Sequence, residues 1–63
     1  MLSEREKQIL SFLADGRCFE DIGKELFISK PTVKRHSDNA RNKLGACNCC
    51  QAVAIAIREG YID

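Results

Sequence analysis

The sequence predicts an all-α, four-helix domain. Three observations carry this. Apolar residues recur three and four apart along the 63 residues. Capping residues and glycine stops bracket four such stretches. No segment alternates with period two, and no Asn-Gly or Asp-Gly turn joins strand-like runs. A chain of this size is one small domain with a limited core. It has no room for a catalytic unit beside a cofactor unit.

The first helix begins at Ser3-Glu4-Arg5-Glu6, an S-x-x-E capping box. Ile9, Leu10 and Leu13 follow at helical spacing, Ala14 widens the stripe, and Asp15-Gly16 is the stop. The second helix fits Phe19 to Leu26. Glu20 and Asp21 complement the dipole in its first turn, and Ile22 and Leu26 share a face. Cys18 stands at its N-cap, a poor substitute for serine. The third helix starts at Ser29-Lys30-Pro31, where serine caps and proline is tolerated in the first turn. Val33, Ser37, Ala40 and Leu44 mark its inward side, Lys34, Arg35, Asp38 and Arg41 its outward side, and Gly45 its end. The fourth helix spans about Cys49 to Glu59. Asn48 with Gln51 is a second capping-box candidate, and Gly60 is the stop. Its expected core side is Ala52, Val53, Ala56 and Ile57, leaving Gln51, Ala54, Ile55 and Arg58 outward. Leu2 and Ile62 are expected to tuck the chain ends onto the core.

Charge is polarised behind a net +1. Residues 1–29 carry −2, residues 30–43 carry +4, and residues 44–63 carry −1. The positive charge therefore coincides with the outward face of the third helix, which suits a polyanion. The longest apolar run, residues 52–57, is far too short to span a bilayer. The N-terminus turns polar at once, so no signal peptide and a reducing, cytoplasmic compartment are expected.

Only Phe27-Ile28-Ser29 separates the second and third helices, the spacing of a helix-turn-helix unit. With Phe19 as its first position, Ile22, Leu26, Ile28 and Val33 must face the core. Gly23 falls where the two helices approach most closely. Such a unit lays its second helix in the major groove of double-stranded DNA. Lys34 and Arg35 have the reach to donate to guanine O6 and N7, and Asp38 to accept from cytosine N4. Ser29, Thr32 and amides at the helix start suit phosphates, with Arg41 and Lys43 adding positive charge farther along.

Leu2-Ser3-Glu4-Arg5-Glu6, Glu20-Asp21-Ile22-Gly23, Leu26-Phe27-Ile28-Ser29, Thr32-Val33-Lys34-Arg35-His36, Asn39, Lys43-Leu44-Gly45, Asn48, Gln51-Ala52-Val53 and Gly60 occur in this order. Together they resemble the LuxR/GerE-type helix-turn-helix domain of bacterial transcription regulators, over nearly the whole chain. The resemblance implies a four-helix domain whose third helix reads DNA and whose fourth forms a dimer contact. Such a domain is usually C-terminal to a phosphoreceiver or an acyl-homoserine-lactone sensor, and the Asn39-Ala40 pair leans towards the lactone-sensing branch. By that likeness Lys34, Arg35 and Asp38 read bases. Gln51, Ala54, Ile55 and Arg58 form the seam of a weak homodimer.

The departures are specific. Asp38 lies where many members carry a neutral or basic residue, and it opposes phosphates unless it meets a cytosine or pairs with Arg35 or Arg41. Cys49 stands where arginine is frequent. Cys18 stands where serine or threonine would cap.

Competing readings are weaker. Cys47-Asn48-Cys49-Cys50 holds one C-x-x-C pair where a structural zinc site uses two, so no metal is expected. A redox module built on Cys47, Cys49 and Cys50 is an alternative, since a helix N-terminus lowers thiol pKa. The favoured reading makes them small, partly buried residues at a helix start. His36 is expected to pack or hydrogen-bond inside the third helix. A promoter reader acting with RNA polymerase, like the terminal region of sigma factors, shares the start of helix one and the turn. It lacks the K-L-G segment followed by Asn48 and Gln51-Ala52-Val53, though RNA polymerase stays a candidate partner. An enzyme is not expected, and no cofactor with it. The chain shows no Gly-rich phosphate loop, no carboxylate pair in a cleft and no nucleophile–base arrangement.

Overall fold

Hydrogen bonds at the predicted caps divide the chain into four helices. These are α1 (Glu4–Ala14), α2 (Phe19–Leu26), α3 (Lys30–Lys43) and α4 (Cys49–Arg58). The computed structural model describes residues 1–63. At α1 the capping box closes in both directions: Glu6 N–H donates to Ser3 Oγ at 3.1 Å and Ser3 N–H to Glu6 Oε1 at 2.9 Å. At α3 the Thr32 amide donates to Ser29 Oγ at 3.3 Å. At α4 the Gln51 amide donates to Asn48 Oδ1 at 2.8 Å. The return bond of that cap reaches one residue farther than expected, since Gln51 Oε1 accepts from the Cys47 amide at 2.6 Å. Cys18 makes no side-chain cap bond at α2.

α1 ends on Gly16 at φ 89°, with the Arg17 amide reaching back to the Phe12 carbonyl at 3.1 Å, and α3 and α4 close in the same way. α2 uses this geometry with a different residue. Phe27 takes the left-handed conformation at φ 59°, ψ 41°, and the Ile28 amide donates to the Gly23 carbonyl at 2.9 Å. A phenylalanine there stores backbone strain. It also buries almost nothing, being 94% exposed.

The core divides in two. Ile9, Ile22 and Val33 form one cluster, packed by Phe12, Phe19, Leu26 and Ile28, which locks α2 and α3 onto α1. Leu2, Leu10, Ala40, Ala46, Ala52, Ala56 and Ile62 form the other, which seats α4 and both chain ends on α1 and α3. Leu13 packs against both clusters. The inward assignments for α2 and α3 therefore hold, Leu2 and Ile62 are buried as expected, and His36 is half-buried. Gly23 is buried, and a Cβ on it would stand 2.7 Å from the Ile28 carbonyl oxygen.

Three sequence expectations change. Ala14 is exposed, and Phe12 widens the α1 stripe instead. α4 is turned by a fraction of a turn, so Ile57 is 47% exposed while Ile55 is half-buried against the alanine-rich cluster. Ala52 and Ala56, fully buried one turn apart, set that phase, which places the flanking Ile55 inward. Among the cysteines, only Cys49 is partly buried, and Cys18, Cys47 and Cys50 are exposed, all four as free thiols. No helix is long and apolar enough to cross a membrane.

Candidate nucleic-acid interface

α3 presents two different halves. Its N-terminal half projects from the helix-turn-helix unit with its cations accessible. Lys30, Lys34 and Arg35 are exposed, Thr32 is half-buried, and Ser29 is exposed at the cap. The Ser29 and Thr32 hydroxyls share a 2.8 Å hydrogen bond. Four amides would be left over at a helix start. Here Pro31 has none, Thr32 bonds Ser29 Oγ, and Val33 bonds the Ser29 carbonyl at 3.1 Å. The Ser29 and Lys30 amides are the two that make no internal bond. The anion-binding capacity at the start of α3 therefore comes to two amides, two hydroxyls and the Lys30 ammonium. Lys30 was absent from the sequence-derived contact set. Its signal was present, because the first residue after an N-cap sits at the positive end of the helix.

Lys34 and Asp38 lie one turn apart and are ion-paired, Nζ to Oδ2 at 2.9 Å. The sequence reading offered Arg35 or Arg41 as partners for Asp38. The i, i+4 spacing brings Lys34 instead, with its flexible stem folded along the same face. Arg35 is exposed and, like Lys30, forms no ion pair.

The C-terminal half of α3 is engaged inside the molecule. Arg41 Nη1 donates to the Ala46 carbonyl at 3.3 Å, bracing the turn into α4. A guanidinium has five N–H donors, so most of its capacity remains. Lys43 is tied more firmly, with Nζ 2.9 Å and 3.2 Å from the two oxygens of Glu6. The Glu6 side chain is only 4% exposed. Burial pushes the Glu6 carboxyl up. Its hydrogen bond from the Ser3 amide, the Lys43 ammonium and the Ser3 hydroxyl more than reverse this, so its pKa lies below the ordinary 4.5. Lys43 thus joins the start of α1 to the end of α3, across a sequence separation of 37 residues. A second link, Arg17 to Glu25 at 2.9 Å with the guanidinium 5.1 Å over the Phe12 ring, ties the α1–α2 turn to α2.

On α4 the outward side carries Cys50, Gln51, Ala54, Ile57 and Arg58. Cys50, Ala54 and Ile57 repeat at helical spacing and form a narrow apolar stripe with polar edges. Ile55, expected on this side, packs inward. No three His, Cys, Asp or Glu side chains converge at metal-holding distance.

The family described as GerE, "Bacterial regulatory proteins, luxR family", matches residues 1–56. The chain is similar to the spore germination protein GerE of Bacillus subtilis, at 36% identity over 63 residues, covering 100% of this chain and 85% of that protein. It is similar to the transcriptional activator protein PhzR of Pseudomonas fluorescens, at 43% identity over 60 residues, covering 95% of this chain and 25% of that protein. It is similar also to the transcriptional activator protein LuxR of Aliivibrio fischeri, 42% identical and spanned to 25% of its length. The chain therefore spans about a quarter of these activators and most of GerE. The solved structure of the transcription factor GerE superposes with a TM-score of 0.94 at 34% identity, covering 98% of this chain and 92% of that one.

Proposed function

The chain belongs to the luxR family of bacterial regulatory proteins, the DNA-binding helix-turn-helix domains of transcription regulators, and we propose that it reads a two-fold DNA site with α3 in the major groove. The observation that carries this is the accessible N-terminal half of α3, with Lys30, Lys34 and Arg35 outward and the opposite side locked by Ile22 and Val33. In this reading Lys34, Arg35 and Asp38 face base edges. Ser29, Thr32, the Ser29 and Lys30 amides and the spare donors of Arg41 face phosphates. Lys43 acts chiefly as a strut to Glu6, which limits its share of phosphate contact.

The residues 1–63 act as one DNA-binding domain. Two copies meet through α4, with Gln51, Ala54 and Arg58 at the seam and Ile57 in the role first given to Ile55. The pairing is weak, because the apolar stripe is narrow. Half-sites then lie about one helical turn apart. The protein works in the cytoplasm, is not an enzyme, and meets RNA polymerase as a further partner when bound beside a promoter.

Fluorescence anisotropy on random and selected duplexes across a salt series tests this. Steep weakening with salt is expected, with a symmetric sequence bound about a thousandfold more tightly than random DNA. Lys34→Ala or Arg35→Ala should cost about 1–3 kcal/mol at the selected site and relax base preference. Salt-insensitive or absent binding by folded protein would overturn the reading. An equal loss on every sequence would reassign Lys34 and Arg35 to phosphates.

A further inference from the structure

Asp38 is the lone carboxylate in the basic segment of residues 30–43. It stands on the outward face of α3 beside a strongly charged surface, with its side chain 44% exposed and that of Lys34 63% exposed. An exposed pair of this kind adds little to helix stability. Its carboxylate also repels any phosphate near it. Neither helix stability nor general DNA affinity accounts for an acid in this place.

The chemistry of the pair does. An ammonium only donates hydrogen bonds and a carboxylate only accepts them. Held together at 2.9 Å, Lys34 Nζ and Asp38 Oδ2 present a donor and an acceptor side by side. A base pair offers the complementary order in the major groove. Guanine shows O6 and N7 acceptors beside the cytosine N4 amine, and thymine shows an O4 acceptor beside the adenine N6 amine.

We propose that Lys34 and Asp38 act as one unit that reads the order of keto and amino groups in a single base pair. The proposal rests on the reading of α3 as the major-groove helix. A keto oxygen under Lys34 and an amine under Asp38 satisfy both groups. The swapped pair sets a keto oxygen against the carboxylate and an amine against the ammonium. Two of the four base pairs are accepted, those with the keto base on the same strand. Guanine is preferred over thymine, since N7 gives Lys34 a second acceptor. Asp38 is thus a specificity-determining residue that works largely by exclusion.

The test compares the full chain with Asp38→Asn and Lys34→Met. Each is used in a selection from random duplexes, then in anisotropy titrations on the four base pairs at the selected position. Wild type should bind the swapped order about tenfold more weakly. In Asp38→Asn the amide both donates and accepts, so the two orders should bind within about twofold of each other. Removing the charge also frees Lys34 for the backbone. Random-duplex affinity should therefore rise, and the salt slope should steepen by about one. Lys34→Met should lose the guanine preference. Circular dichroism melts establish that each variant is folded. An Asp38→Asn protein with the wild-type base preference and salt slope would overturn this proposal and leave DNA reading by α3 intact. A wild type with no salt-dependent binding would overturn both.

Discussion

Gly23→Ala sets two well-measured effects against each other, and the structure decides the sign. On an open helix surface the change gains about 1 kcal/mol of helix propensity. Here the new Cβ would stand 2.7 Å from the Ile28 carbonyl oxygen, where ordinary contact begins at 3.4 Å. The neighbour is backbone, with no flexible side chain to move aside. It is also the carbonyl of the residue whose amide bonds the Gly23 carbonyl at 2.9 Å, so retreat strains that closure. α2 must move off the turn by about 0.7 Å, an overpacking that costs about 2–3 kcal/mol. The net is a loss of about 1–2 kcal/mol, equivalent to a fall in Tm of about 4–16 °C for a domain of this size. The chain has no tryptophan, so urea and thermal unfolding are followed by far-UV circular dichroism. DNA affinity should fall further than the residual folded fraction explains, since the α2–α3 angle sets the pose of α3. A Gly23→Ala protein as stable as wild type, or more so, would refute the close-approach reasoning.

Lys43→Met removes the counter-charge of the buried Glu6 carboxylate, leaving it the Ser3 amide, and should destabilise by about 1–2 kcal/mol at pH 7, less than a fully buried pair because Lys43 is half-exposed. The folded-state pKa of Glu6 is depressed, so its contribution is complete above the ordinary value of 4.5 and is lost as pH falls below it. The gap between wild type and Lys43→Met in urea titrations should therefore narrow towards acid, and a gap independent of pH would remove Glu6 from the account. Phe27→Gly relieves a left-handed phenylalanine that buries little. It should hold or raise stability by up to about 1 kcal/mol in a thermal melt, whereas a clear loss would show that the ring packs against something in solution. Ile57→Glu should weaken self-association in sedimentation velocity while the monomer melts normally. Ile55→Glu should lower the melt itself, and the reverse pattern would restore Ile55 to the seam.

Where local chemistry decides an element, the sequence was readable almost to the residue. Ser3, Ser29 and Asn48 are capping types, and each caps. Ile22, Leu26, Ile28 and Val33 have the spacing of two steeply crossed helices, and they share one cluster. What escaped was set by contacts distant in the chain or by small differences in phase. Ile55 and Ile57 are the same residue type two positions apart, so apolar content cannot rank them. Their ranking follows from where Ala52 and Ala56 meet α1 and α3. Lys43 reads as one more cation in a basic segment until α1 folds back and places Glu6 beside it. Asp38 was legible as an anomaly, but its partner depended on which of three nearby cations had a stem lying along its face. Phe27 gave no signal at all, because the turn imposes its left-handed backbone and the side chain has no preference for it.

The divided core bears on how such a protein changes over generations. The α2–α3 lock and the α4 seat draw on separate buried residues and meet at Leu13. Substitutions on the N-terminal half of α3 thus fall on a surface backed by Ile22 and Val33, while the α4 face proposed to pair rests on Ala52 and Ala56, with Ala40 of α3 beneath them. If α3 reads DNA and α4 pairs copies as proposed, changes at the exposed Arg35 and at the exposed Ile57 should alter target and pairing separately. Leu13, touching both clusters, is a position where one substitution would disturb both faces at once.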